Sequence, residues 1–355
     1  MKKLIPKVYM PKYPRYIKNC HMNKVRESNF ELLRLIAMFF IVLYHLLLKF
    51  IVVVDDNPIF QAVFLPLHVA VICFVLISGY FHIKPSIYGG AKLLFPLLVF
   101  YLPLTIYEYS QNNVGIKSLL FFSKSPYWFI RTYFYLFLIS PVLNSFLNTD
   151  RRRVSLLLVL GFIAIYMGWM MHDASMADGK NLVLFMFLYI LGDFLRHNKE
   201  IIDNVSTPIL GGFYLFLNTT LIYLYTTYSD TYIGKTIWHV SYPYCSPILI
   251  LNAVVLFLVF SRLHFKSKAI NWLANSVYTI YILHHQHYVL YNLIGPFVFS
   301  LYKTHHFPII LIFYLTIYSL AIMSICIIID KFVGPLQYYF VRYLTKREEK
   351  EKMLL

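Results

Sequence analysis

The sequence contains few charged residues. Asp, Glu, Lys and Arg make up only 14% of its 355 positions, whereas hydrophobic residues make up 59%. A soluble domain carries roughly a quarter charged residues. The composition therefore argues against a large soluble protein. It is typical of a polytopic membrane protein, in which most side chains face lipid or other helices.

Cysteine is scarce as well. The four cysteines, Cys20, Cys73, Cys245 and Cys326, lie far apart, and no CxxC pair occurs. This spacing supports neither a zinc site nor a disulfide framework. We interpret the cysteines inside apolar segments as small apolar residues of the protein interior.

Acidic residues are outnumbered by basic ones, 16 to 32, which leaves a formal net charge of +16. In a soluble protein such an excess would suggest nucleic-acid binding. Here the basic residues lie in short connectors and at the chain ends, where the positive-inside rule explains them. We therefore predict no nucleic-acid partner.

A secretory signal is missing from the first 26 residues, "MKKLIPKVYMPKYPRYIKNCHMNKVR". Such a signal needs an apolar stretch followed by a cleavage site of small residues, and neither occurs there. We expect residues 1–29 to form a basic cytoplasmic arm that contacts anionic membrane lipids.

Long apolar runs, in contrast, occur throughout the rest of the chain. A membrane-spanning helix needs about 20 apolar residues. The sequence therefore predicts an all-α, polytopic membrane protein with about ten transmembrane helices. Their approximate limits are 30–54, 59–82, 91–109, 126–147, 154–172, 181–196, 207–228, 244–261, 270–292 and 307–332.

The distribution of basic residues predicts the orientation. With a cytoplasmic N-terminus and ten spans, most of the 32 Lys and Arg fall on the cytoplasmic side, as the positive-inside rule requires. Both termini are then cytoplasmic. The predicted organisation is the arm (1–29), a transmembrane domain (30–332) and a basic cytoplasmic tail (333–355).

The first span, "FELLRLIAMFFIVLYHLLLKF" (30–50), contains two polar residues that are costly in a membrane, Arg34 and His45. Helix geometry places them on one face, about 16 Å apart along the axis. Glu31 lies one turn before Arg34 and can pair with it. Alone, Arg34 could reach back to lipid phosphates, and His45 could be an ordinary hydrogen-bonded core residue. Together on one face they favour a polar passage, because ionisable groups at membrane depth mostly line cavities.

Other spans contain further polar candidates for substrate binding. They are His68 and Ser78 in the second span, Lys92 in the third, Trp128 and Arg131 in the fourth, and His284 in the ninth. His284 and His287 would share a helical face at a spacing that can bind metal, but no third ligand lies nearby in sequence. We therefore predict no metal site.

Four motifs resemble the acyltransferase-3 family of integral membrane proteins. "RLIAMFFIVLYH" (34–45) matches its R-x10-H element, and "FVLISGYF" (74–81) resembles its F-F-x-x-S-G-[FY] run. "YWFIRTYFYLFLISPVLN" (127–144) is similar to the family's fourth span, and "SVYTIYILH" (276–284) to its S-x-G-I-Y-L-x-H ending. The motifs occur in the family's order along nearly the whole chain. Within the family, the sequence resembles the stand-alone O-acetyltransferases of bacterial surface polysaccharides, which implies a location in the cell membrane of a bacterium.

The resemblance implies an O-acyltransferase that moves an acetyl or other short acyl group from cytoplasmic acyl-CoA to a hydroxyl group. The acceptor would be a cell-surface polysaccharide or its lipid-linked precursor. Acetyl-CoA would be a substrate, and no bound cofactor is expected. His45 would act in proton transfer, and Arg34 would be required for activity. The third span, "GGAKLLFP", lacks the arginines common in the family, so Lys92 and Arg131 are proposed as their substitutes.

The chemistry is independently reasonable. Acyl transfer from a thioester to an alcohol needs a base, and a neutral imidazole suits that task. The phosphates of CoA would be attracted to a basic cytoplasmic face. Arg34 could bind a phosphate or carbonyl group, or stabilise developing oxyanion charge. The distance of about 16 Å from Arg34 to His45 is comparable to the length of a pantetheine arm.

A proton-coupled transporter or polysaccharide exporter is the alternative, because buried His and Arg also suit such carriers. Against it, the sequence shows no matching pair of Gly- or Pro-broken spans and no carboxylate at mid-membrane. A structural scaffold is a third interpretation. It predicts that apolar residues can replace Arg34 and His45.

Overall fold

A computed structural model describes residues 27–120, 127–148, 151–171, 177–202 and 204–354. Within these ranges the chain is helical or loop, with no strand, which confirms the predicted all-α class. Most of the predicted basic arm, residues 1–26, lies outside the described residues.

The α-helices are numbered here in chain order. They are α1 Ser28–Leu46, α2 Pro58–Ala62, α3 Phe64–Leu67, α4 Val69–Phe81, α5 Ile87–Pro96, α6 Leu102–Ser110, α7 Trp128–Leu147, α8 Arg151–Met170, α9 Leu182–His197, α10 Lys199–Ile202, α11 Thr207–Tyr228, α12 Tyr232–Ser241, α13 Pro247–Ser261, α14 Lys268–Ala274, α15 Val277–His285, α16 Gly295–Thr304 and α17 Pro308–Leu354. Wider π-helical turns occur at Leu47–Ile51, Leu97–Tyr101 and Val289–Ile294. Short 3-10 turns occur at Ile116–Leu119 and Ala177–Gly179.

Helices lie at each of the predicted spans, but not all are long. Among the described residues, seven helical segments, some of them made of two or three consecutive helices, are long and apolar enough to cross a membrane. Helix α9 has only 16 residues and α13 only 15, which is short for a hydrocarbon core of about 30 Å. The protein is therefore a multi-pass membrane protein, and the count of ten spans stays a prediction.

The predicted ninth span, 270–292, is not one helix. It breaks between α14 and α15, and again where Gln286 takes an extended conformation with ψ 135° after α15. A π-helical segment, Val289–Ile294, follows. The breaks lie at polar residues, "NS" (275–276) and "HHQH" (284–287), and the predicted span continued through them because apolar residues lie on both sides.

Helices α1 and α4 lie at the centre of the bundle. Helix α4 packs most closely against α9, and two glycines make this contact possible. A Cβ atom added to Gly79 would lie 2.0 Å from the carbonyl oxygen of Tyr189, and one added to Gly192 would lie 2.4 Å from that of Leu76. Small residues at such crossings let helix backbones approach each other in membranes.

The last helix extends well beyond a bilayer. Helix α17 has 47 residues, so it is about 70 Å long. It continues without a break across the predicted boundary at residues 332 and 333. Its outer face exposes apolar side chains, among them Ile328 (55%) and Phe332 (80%), which suits contact with lipid.

Candidate active site

One face of α1 carries Arg34 and His45. Both lie in the regular helix Ser28–Leu46, so they share a face about 16 Å apart. Met38 and Ile41 occupy this face between them. The Arg34 guanidinium donates a hydrogen bond to Glu31 Oε1 at 2.8 Å, which confirms that these two residues pair. Glu31 is buried, whereas about a third of the Arg34 side chain is exposed.

A polar cavity of about 620 Å³ lies at the Arg34 end of this face. Its lining contains the cations Arg34, Lys92 and Lys331. It also contains the carboxylates Glu31 and Asp330. Cationic groups beside hydrogen-bonding groups are the chemistry that binds phosphates.

A narrower, mostly apolar cavity of about 230 Å³ adjoins the polar one. The two cavities share Arg34 and Tyr278 in their linings. From there the apolar cavity extends along α1 past Met38 to Ile41, and Tyr281 lines it from α15. Ile41 lies one helical turn before His45. Neither cavity has His45 in its lining, so the cavities extend from Arg34 to one helical turn short of His45. A polar passage that reaches His45 stays a prediction.

Helices α15 and α17 form one wall of the polar cavity through Asp330. The Ser276 hydroxyl donates to Asp330 Oδ2 at 2.7 Å, and the Thr279 hydroxyl donates to Oδ1 at 2.5 Å. The next residue, Lys331, donates from Nζ to the Trp272 carbonyl at 3.0 Å. These contacts hold α15 in register with α17 and thereby position the histidines at the far end of α15 along the bundle.

Three histidine rings meet at the other end of the α1 face. His45 Nδ1 lies 2.9 Å from His284 Nε2, and His284 Nδ1 donates to the Ile280 carbonyl at 2.6 Å. The His45 ring also stacks on His285, with ring centres 4.1 Å apart and planes at 20°. His284 and His285 are both buried (0% and 4% exposed). Helix α15 ends at His285, so its last turn presents both rings to α1.

His68 lies beside this cluster. Its Nδ1 donates to the Tyr242 carbonyl at 2.8 Å, and its ring stacks on that of Tyr242 with centres 4.0 Å apart. Tyr244 stacks on the other side at 4.9 Å. The Tyr44 hydroxyl, one residue before His45, lies 2.7 Å from the Tyr242 hydroxyl. His68 therefore positions the tyrosines around the histidine cluster.

Two further predicted residues line the cavities. Ser78 lies in the wall of the apolar cavity. Its hydroxyl donates to the Phe74 carbonyl at 2.8 Å and lies 3.1 Å from the Tyr133 hydroxyl. Lys92 is exposed in the polar cavity, with its ammonium group 4.5 Å from the centre of the Tyr88 ring.

Two others lie outside both linings. Trp128 packs between Phe185 and Tyr244, with ring centres 6.0 and 5.3 Å away, so its contacts are those of an aromatic core residue. Arg131 belongs to neither lining, although Ile130 beside it lines the apolar cavity. The structure thus does not place Arg131 with the cations of the polar cavity.

The predicted shared face of His284 and His287 is wrong, because α15 ends at His285. His287 instead pairs with Glu108, whose Oε2 lies 2.6 Å from His287 Nδ1. Among the described residues there is no group of three His, Cys, Asp or Glu side chains arranged to hold a metal ion.

Sequence reasoning also missed three residues of this region, His285, Asp330 and Lys331. His285 had a signal, since it is adjacent to His284 and lies at a helix end. Asp330 is an acidic residue at the end of an apolar segment, and its partners are distant in sequence. Hydropathy by itself gives no reason to pair it with Ser276.

The long apolar helices, together with two adjoining cavities and the three cations that line one of them, define an integral membrane protein with an internal polar site. The acyltransferase-3 family model, which describes an acyltransferase domain, matches residues 27–331. The chain belongs to this family and is a membrane acyltransferase. No match is found among the curated proteins or the solved structures.

Proposed function

We propose that this protein transfers a short acyl group, in the first instance acetyl, from acyl-CoA to a hydroxyl of a cell-surface polysaccharide or its lipid-linked precursor. The observation that carries the proposal is the order along one face of α1. Arg34 and two adjoining cavities lie at one end, and an imidazole paired with a second imidazole lies at the other.

The polar cavity would bind the nucleotide end of CoA. Arg34, Lys92 and Lys331 can attract its phosphates. The adjoining apolar cavity, about 230 Å³ in volume, is small enough to favour an extended arm with a short acyl group. On this proposal the Arg34 end of the bundle faces the cytoplasm, where acyl-CoA is made.

The reaction would take place at His45. The imidazole accepts the proton of the acceptor hydroxyl, and the oxygen forms a bond to the thioester carbonyl carbon. The carbon–sulfur bond then breaks, and the CoA thiolate takes the proton from the imidazolium. The apolar cavity ends at Ile41 and Tyr281, so these side chains must move to let the thioester reach His45.

The direct test uses membranes that contain the protein, acetyl-CoA labelled in its acetyl group, and glycan from the same cells. We expect label on the glycan with the unaltered protein. His45→Gln should lower the rate by about 100-fold or more, since a general base contributes 10²- to 10⁴-fold. His306→Gln changes an exposed loop histidine and should leave the rate unchanged. Full activity of the His45→Gln variant would exclude the proposed role of His45.

A proton-coupled carrier is the second candidate, and two carboxylate–histidine pairs are what favours it. Asp193 Oδ1 lies 2.7 Å from His82 Nε2, and Glu108 is paired with His287. Carboxylate–histidine pairs of this kind occur in proton pathways. In the same membranes, movement of solute without any need for acyl-CoA would favour the carrier, and transfer of label would favour the enzyme.

A further inference from the structure

His284 lies between a backbone carbonyl and the imidazole of His45. Its side chain is fully buried. Nδ1 of His284 lies 2.6 Å from the Ile280 carbonyl oxygen, and its Nε2 lies 2.9 Å from His45 Nδ1. Both ring nitrogens of His284 are therefore engaged in hydrogen bonds.

These contacts determine where the protons are. A carbonyl oxygen can only accept, so His284 Nδ1 carries a hydrogen. In a neutral ring the other nitrogen, Nε2, is then an acceptor. His45 Nδ1 must donate to it. His45 is thereby held in the tautomer whose free lone pair is on Nε2.

We infer that His284 is a positioning residue, which accepts the Nδ1–H of His45 and so makes His45 Nε2 the atom that takes the proton from the acceptor hydroxyl. This inference rests on the proposed function. It assigns to a neutral imidazole the role that a buried carboxylate has beside the histidine of serine hydrolases.

The proton balance is complete within the two rings and the substrates. The hydroxyl proton moves to His45 Nε2, and His45 becomes a cation with hydrogens on both nitrogens. His284 Nε2 stays the acceptor of the Nδ1–H bond, which is stronger when its donor is charged. As the carbon–sulfur bond breaks, His45 Nε2 returns the proton to the CoA thiolate, and both rings regain their starting state.

His285 provides the contrast. Its ring is in contact with that of His45 by stacking, and its Nδ1 is buried without a hydrogen-bond partner among the described residues. Stacking holds the plane of the His45 ring but selects neither tautomer. We therefore expect amide substitutions at positions 284 and 285 to have different effects on acyl transfer.

The test compares His284→Gln with His284→Asn. The glutamine carbonyl can reach the place of the His284 Nε2 atom and accept from His45. The asparagine carbonyl, one methylene shorter, reaches only the place of Nδ1. The two amides are similar in polarity, so their effects on folding should be similar. The paired variants His285→Gln and His285→Asn are the control.

The readouts are kcat and KM for acyl transfer to glycan, and the binding of acyl-CoA to purified protein. We expect His284→Asn to lower kcat by about 100-fold, with KM and acyl-CoA binding unchanged. The kcat of His284→Gln should be at least ten-fold higher than that of His284→Asn. At position 285, Asn and Gln should have equal effects.

An asparagine variant at 284 that equals or exceeds the glutamine variant would overturn the inference while leaving the acyltransferase activity established. So would equal losses in both variants that arise from KM or from reduced acyl-CoA binding. If the unaltered protein transfers no acyl group, the proposed function fails and the role of His284 fails with it. The unaltered protein and His45→Gln, run in parallel, separate the two cases.

Discussion

Among the described residues, the buried carboxylates Glu31, Glu108 and Asp193 each pair with a histidine or an arginine. Asp193 is fully buried and accepts from Arg151 at 2.7 Å while His82 lies 2.7 Å from its other oxygen. Glu31 accepts a hydrogen bond from Arg34 at 2.8 Å. An isolated charge in such surroundings would cost several kcal/mol. Pairing therefore offsets the cost of placing carboxylates inside the bundle.

Arg34 leads to a prediction at the residue scale. It lines both cavities, and a guanidinium can bind a phosphate or carbonyl with two parallel hydrogen bonds, which an ammonium group cannot. We expect Arg34→Lys to lower kcat/KM for acyl-CoA by about ten-fold, and Arg34→Gln by about 100-fold. The measurement is the initial rate of acyl transfer as the acyl-CoA concentration is varied.

Arg131→Lys and Arg131→Gln are the matched control, since Arg131 lies outside both linings. They should change kcat/KM much less than the Arg34 pair. Equal rates for unaltered protein and Arg34→Gln would show that Arg34 only pairs with Glu31 inside α1 and does not bind acyl-CoA.

At the scale of elements, the contact between α4 and α9 fixes the cavity wall. Ser78 lines the apolar cavity, and its neighbour Gly79 lies against the backbone of α9. A side chain at Gly79 would push the two helices apart and move Ser78. The glycine therefore matters for the shape of the site as well as for packing.

We predict that Gly79→Ala destabilises the protein. The new methyl group would lie 2.0 Å from the Tyr189 carbonyl oxygen, and overpacking of this kind costs about 1–3 kcal/mol. A lower midpoint of thermal unfolding in detergent should report the loss. Gly211→Ala and Gly212→Ala in α11 are the control, because nothing lies within 4 Å of either added atom. An unchanged midpoint for Gly79→Ala would mean that the helices are not in such close contact.

The break after α15 is the second feature of functional interest among the elements. A continuous helix would have carried His284 and His287 onto one face. Because the helix ends at His285, His287 is free to pair with Glu108, and His284 stays against α1. The break thus separates the pair of His284 with His45 from the pair of His287 with Glu108.

For the whole molecule, the proposed reaction requires two substrates to approach from opposite sides. Acyl-CoA would enter at the Arg34 end, and the acceptor would approach His45 from the other. This arrangement depends on the predicted orientation, with the N-terminus and the Arg34 end in the cytoplasm.

Cysteine labelling tests this orientation. In a background with the four native cysteines replaced by alanine, we place single cysteines at two exposed positions, His306→Cys and Lys266→Cys. A membrane-impermeant maleimide should label position 306 in intact cells, and position 266 only after the membrane is opened. The reverse pattern would show that the protein has the opposite orientation, with the polar cavity on the outer side of the membrane. Activity of both variants should be retained, which shows that the labelled protein is folded.

The features that could be predicted were those within a single helix. The shared face of Arg34 and His45 and the pairing of Arg34 with Glu31 follow from residue spacing, because α-helix geometry is the same wherever a helix forms. The pairing of His284 with His45 could not be predicted this way. It joins residues 239 positions apart, and hydropathy gives no information on which helices are neighbours.

The sequence alone is enough to predict a helical membrane protein. It contains long apolar runs, and only structures that satisfy their own backbone hydrogen bonds can span lipid. It also placed a cation and an imidazole in line on the first helix. Three other features are visible only in the folded protein: α15 ends beside α1, α17 supports α15 through Asp330, and the cavities stop one turn before His45. These features depend on how distant helices pack, and packing is set by the shapes of many side chains together.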